Sequence, residues 1–120
     1  MARRETPLPE VARRVLDLIA DEVATEFNVS IGLLRSASRV RRVSRARQTG
    51  ILLARSLTRF SLVDIGEGFG GRDHTTVMYA LEAAGRRLAT DWSAQEDFDR
   101  ILHRLRPRVI GAFSVPAVPA

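Results

Sequence analysis

The chain's 120 residues leave room for one domain with an unstapled core, and the absence of cysteine excludes disulfides and thiolate metal sites. Its net charge of +5 hides an asymmetry: eight arginines and no acid lie between Phe27 and Val63, whereas the other eleven arginines are outweighed by fourteen acids. A basic block inside an otherwise acidic chain is the electrostatic footprint expected for a polyanionic partner.

Hydrophobic spacing is helical nearly throughout. A first helix is predicted from about Pro9 to Phe27, with Val11, Val15, Leu18, Ile19, Val23 and Phe27 on one face. Pro9 suits its first turn, and the acids Asp17, Asp21, Glu22 and Glu26 occupy the other side. Asn28 breaks it, and Ser30 caps a short second helix containing Ile31, Leu33 and Leu34. Residues 36–44 read as a polar basic loop. A third helix is expected from about Arg45 to Arg59, burying Leu53, Ala54, Leu57 and Phe60, with Gln48, Arg55 and Arg59 on another face. Ser61 caps a short fourth helix whose inward positions are Leu62, Ile65 and Phe69. Gly70-Gly71 then turns the chain, and Asp73 opens a fifth helix packed through Val77, Leu81, Ala84 and Leu88.

Ser93 with Glu96 three residues on forms a capping box for a sixth helix, with Phe98, Ile101, Leu102 and Leu105 as its apolar stripe. Pro107 is expected to end it, leaving residues 107–120 as a disordered tail. No strand pattern, internal repeat or second domain appears. The predicted fold is all-α, with about six helices. Residues 1–18 form an extension and the start of the first helix, and residues 19–106 form the domain. No apolar run approaches the ~20 residues that cross a bilayer, and no signal peptide is apparent. A soluble cytoplasmic protein is expected. His74 and His103 stand too far apart in sequence to suggest a metal pair.

The fourth and fifth helices with their glycine turn fit a helix-turn-helix. The second helix starts polar and turns apolar, so its far end is buried and its first turn is presented to a major groove. Its first amides have no partners inside the helix and favour a nearby phosphate. Asp73 suits a cap or cytosine N4, His74 a thymine methyl or a donor role, and Thr75 and Thr76 offer hydroxyl and methyl together. The plainer reading makes Asp73 and Thr75 caps and His74 an ordinary surface residue; for Asp73 the two are compatible. Upstream, Arg35, Arg39, Arg41, Arg42, Arg45 and Arg47 crowd thirteen residues. Minor-groove reading favours an arginine inserted where A·T-rich sequence narrows the groove. Arg39, between Ser38 and Val40, is the candidate, with Arg41, Arg42 and Arg45 on phosphates. Gly66-Glu67-Gly68-Phe69-Gly70-Gly71 satisfies a dinucleotide-binding pattern, but no strand precedes it and Glu67 would face the pyrophosphate. No Walker loop is present, and no nucleophile with an orienting partner is evident, so neither ATPase activity nor other enzymatic chemistry is expected.

Gly70-Gly71-Arg72-Asp73-His74-Thr75-Thr76-Val77, preceded by Ser61-Leu62-Val63-Asp64-Ile65-Gly66 and Arg45-Ala46-Arg47-Gln48, resembles the C-terminal DNA-binding domain of the bacterial replication initiator DnaA. The resemblance runs ungapped from about Ile19 to Ala89 and loosely to Leu105, and it implies a Trp-repressor-like fold. It also implies double-stranded DNA as partner, at DnaA-box-like sites. By position, Asp73, His74, Thr75 and Thr76 match major-groove contacts and Arg39 the minor-groove arginine. Arg47, Gln48, Arg55 and Arg72 match residues that hold phosphates or flanking bases. Ala46 stands where proline is usual, which loosens the loop-to-helix junction but removes no contact, and Tyr79 stands near a common histidine, a departure expected to be minor. With few residues ahead of the match, the chain reads as a stand-alone relative. It would sit at the nucleoid and regulate replication initiation or transcription, with no cofactor, small-molecule substrate or membrane partner. The alternative is a protein-interaction module that engages DnaA, or titrates an Hda-type AAA+ regulator of the initiator and so promotes initiation.

Overall fold

The computed structural model describes residues 6–114, which form six helices and no strand. These are α1 (Glu10–Phe27), α2 (Ile31–Arg35), α3 (Arg41–Leu57), α4 (Leu62–Gly68), α5 (His74–Thr90) and α6 (Trp92–Phe113). α1 buries Val15, Leu16, Ile19, Ala20 and Val23 against α3, α6 and α4. α3 lies at the centre, between α1 and α5. One continuous core results, in which Ile51, Leu53, Ile65, Phe69, Val77, Ile101 and Leu105 lose all contact with solvent. At ~25 cal/mol per Å² of apolar surface, this shared burial, rather than helix propensity, holds the short α2 and α4 in place. No helix among the described residues is long and apolar enough to cross a membrane.

Local signals set most of the helix ends. Asn28 ends α1 in the left-handed conformation (φ 54°), and the Val29 N–H reaches back to the Ala24 carbonyl at 2.9 Å. Ser30 Oγ accepts from the Leu33 N–H at 3.1 Å, and Ser61 Oγ accepts from the Asp64 N–H at 3.1 Å.

Five expectations need correction. Residues 41–44 are not loop: α3 begins at Arg41 because Val43, buried with Ala46, extends its inward face by a turn. That face was hidden in the sequence because Arg47, which reads as polar, is itself an inward position. The sixth helix is capped by Asp91, whose Oδ1 accepts from the Ala94 N–H at 3.1 Å, so Ser93 lies inside it.

Pro107 lies within α6 instead of ending it. An interior proline costs about 3 kcal/mol or more, but both it and residue 103, whose carbonyl it cannot satisfy, are on the exposed side. The turns beyond it gain burial of Val109, a Phe60–Phe113 ring contact with centroids 5.7 Å apart, and an Arg108–Glu22 pair at 3.2 Å. The expected tail is therefore helical to Phe113, and its remainder from 115 lies outside the described residues. The expected boundary at 19 also moves, since Leu8, Ala12, Val15 and Leu16 belong to the same core.

Candidate nucleic-acid interface

The start of α5 is built by glycines. Gly70 and Gly71 take φ of 96° and 74°, left-handed values that other residues adopt at a cost. Gly66 lets the turn close, because its carbonyl accepts the Arg72 N–H at 2.9 Å and a Cβ there would stand 2.0 Å from the Arg72 carbonyl oxygen. The apparent dinucleotide motif is thus the end of a helix and a turn. Asp73 caps α5 through Oδ1, which accepts from the Thr76 N–H at 2.9 Å. Behind it Val77 and Ala84 are buried, which turns the first turn outward: His74 and Thr75 are half-buried and Thr76 is exposed.

The basic block divides into outward and inward arginines. Arg39 is exposed in a loop, 36–40, shorter than expected. Arg41, Arg42 and Arg45 project from the first turns of α3, and Arg55 from its last. α3 has no acid in its first turn and no side-chain cap. Arginines beside the positive end of a helix dipole disfavour it by roughly 0.3–1 kcal/mol each at the surface. A polyanion at that end would reverse the sign.

Arg47 and Arg72 point inward. Arg47 is 8% exposed; its Nε donates to the Leu34 carbonyl at 2.8 Å and its Nη2 to the Ser36 and Ser38 carbonyls at 2.8 and 3.2 Å. Arg72 Nη2 donates to the same Ser36 carbonyl at 2.6 Å, and its Nη1 to the Phe69 carbonyl. Burial, and then the charge of Arg72, push Arg47 down to about 10; burial lowers Arg72 as well. Arg47 stays protonated at neutral pH. The donors of both arginines are directed at backbone carbonyls, whereas the resemblance implies contacts to phosphates or flanking bases.

Gln48 is half-buried on α3, with Oε1 accepting from Arg87 Nη1 at 2.8 Å. Its amide nitrogen keeps both N–H donors for other acceptors. Arg87 also reaches Thr49 Oγ1 at 3.2 Å, tying α5 to α3. Arg35 was grouped with the basic run, yet its Nε donates to the Gly68 carbonyl at 3.1 Å and its Nη2 to Asp17 at 2.8 Å. Neither role of Arg35 or Arg87 has a sequence signal, because all nineteen basic residues are arginine. Tyr79 is exposed one turn beyond Thr75 and Thr76, beside a cleft of about 380 Å³ lined also by Ser44 and Gln48.

The first turn of α5 and the arginine loop thus converge: the Ser36 carbonyl, three residues before Arg39, touches the residue that precedes Asp73. The model of the bacterial DnaA protein helix-turn-helix family matches residues 16–83.

The chain belongs to this DnaA helix-turn-helix family.

Among DnaA relatives, the chromosomal replication initiator protein DnaA of Crocosphaera subtropica is 40% identical over 89 residues, 74% of this chain and 20% of that protein. The DnaA of Nitrosomonas eutropha is 38% identical over 91 residues, 76% of this chain and 20% of its own length. The chain therefore spans about a fifth of the length of the curated relatives it matches. A crystal structure of a DNA replication initiation factor shares the fold, with a TM-score of 0.66 and 26% identity over 84% of this chain and 30% of that one. The all-α, helix-turn-helix architecture of the DnaA family is thereby shown for this chain.

Proposed function

We propose that the chain binds double-stranded DNA at DnaA-box-like sites and, without ATPase activity, regulates replication initiation or transcription. Asp73, His74, Thr75 and Thr76 read base edges in the major groove, with Asp73 keeping its capping bond to the Thr76 N–H. Arg39 enters the minor groove. Arg41, Arg42, Arg45 and Arg55 hold phosphates, and Gln48 offers its amide to the backbone. The observation that carries this reading is the junction at Ser36, which sets the loop bearing the exposed Arg39 against the polar, partly exposed start of α5. Two grooves of one duplex are addressed by two such neighbouring elements.

Binding of the purified chain to a box duplex and a scrambled duplex, at two salt concentrations, tests it. His74→Ala and Thr75→Ala should each cost about 1–3 kcal/mol on the box and little on the scrambled sequence. Equal weakening on both duplexes would move these residues from base edges to phosphate or fold. In cells, a chain that competes for boxes lowers initiation when overproduced, and Arg39→Ala abolishes the effect. A rise in initiation that survives Arg39→Ala and His74→Ala would instead favour titration of an Hda-type regulator.

A further inference from the structure

Segment 34–38 runs from the last turn of α2 into the loop, and its carbonyls are held by two guanidinium groups from different places in the chain. Arg47 comes from α3 and spans the Leu34, Ser36 and Ser38 carbonyls. Arg72 comes from the turn before α5 and shares the Ser36 carbonyl. The order then passes along the loop: Ser36 Oγ accepts the Ser38 N–H at 3.1 Å, and Ser38 Oγ accepts the Val40 N–H at 3.3 Å, on either side of Arg39. The contact is close as well as bonded, because a Cβ on Gly70 would stand 2.3 Å from the Arg35 carbonyl oxygen. A planar fork with five donors holds several carbonyls at once, which a lysine ammonium of the same charge does not.

We propose that Arg72 and Arg47 are positioning residues that clasp the arginine loop to the reading helix, so that Ser36 sets where Arg39 stands relative to the first turn of α5. The inference rests on the DNA-reading function proposed above and assigns to these two arginines a role through Arg39 rather than on phosphate. The register between the minor-groove and major-groove contacts then belongs to the protein before DNA arrives, and the cost of ordering the loop is met in folding.

The full chain and its R72K, R47K, R39A and R39A/R72K variants are compared on a panel of box duplexes, each changed at one base pair. R72K and R47K should lose about five- to tenfold in discrimination at the A·T-rich end that R39A affects, and retain it where α5 reads. The double variant should discriminate no worse there than R39A alone. Discrimination by R72K equal to wild type at every position, or a loss spread evenly along the box, would overturn the proposal. A second readout needs no DNA: amide hydrogen exchange at Ser38 and Val40 should accelerate in R72K while the buried centres of α1 and α3 keep their protection. Unchanged exchange at both amides would overturn the clasp on its own. A wild-type chain with no preference for the box would refute the DNA-reading function instead, and the exchange experiment would still decide the clasp.

Discussion

Replacing Gly70 and, separately, Gly71 by alanine measures how firmly the arginine loop is pressed onto the helix-turn-helix. Both glycines have positive φ, 96° and 74°, so each alanine carries the strain of a left-handed L-residue, about 1–2 kcal/mol. Their surroundings differ. A Cβ on Gly71 meets nothing within 4 Å, so strain is its whole cost. A Cβ on Gly70 would lie 2.3 Å from the Arg35 carbonyl oxygen and 2.5 Å from Arg72 Nη1. Arg72 Nη1 is the far end of a flexible side chain, but that carbonyl cannot retreat without pulling segment 34–38 away from Arg47. Overpacking of this kind adds about 1–3 kcal/mol. Gly71→Ala should therefore destabilise by about 1–2 kcal/mol and Gly70→Ala by about 2–5 kcal/mol. At roughly 4–8 °C per kcal/mol for a small domain, the two are separable by thermal melting. Urea unfolding with an unchanged slope confirms that the same cooperative unit is being measured. Equal destabilisation by the two substitutions would show that the loop does not bear on Gly70, and would remove the packing support for the clasp.

Three further outcomes follow from the same geometry. Arg55, exposed on the last turn of α3, contacts only backbone in the proposed function; Arg55→Ala should weaken box and scrambled duplexes alike and reduce the salt slope by about one unit, read from affinities at several salt concentrations. Glu26 is held below the ordinary carboxylate value by its bond from Arg100, with Arg104 adding to it. Because the folded pKa is depressed, its contribution is present above the unfolded value of ~4.3 and fades as the pH falls below it. Glu26→Gln should thus cost about 1 kcal/mol at neutral pH, with the gap to wild type closing in denaturant unfolding as the pH falls below the unfolded carboxylate value. Pro107→Ala should stabilise the chain by about 1–3 kcal/mol, since it restores a helix bond and removes a ring clash; a lower melting temperature would show that α6 uses the proline.

Features that depend on near neighbours along the chain were legible from the residues alone. Apolar spacing specified six helices and part of their inward faces, Val15, Ile19, Leu53, Val77 and Leu105 among them, but not Leu16, Val43 or Ile51. Ser30, Ser61 and Asp73 announced their own caps, because an N-cap oxygen needs only an amide two or three residues ahead. Gly70-Gly71 before Asp73 marked the turn for the same local reason. The tertiary structure alone decided which arginines face outward. Arg39 and Arg47 are indistinguishable in composition, spacing and local charge, yet one is exposed and the other holds three carbonyls of a loop up to thirteen residues away. It also carried α6 through Pro107, where contacts with Glu22 and Phe60 outweigh the propensity of a single residue. In each such case the deciding partner is distant in sequence. A guanidinium turns inward only where folding has placed carbonyls to receive it, since burying its charge without them would cost far more than it gains.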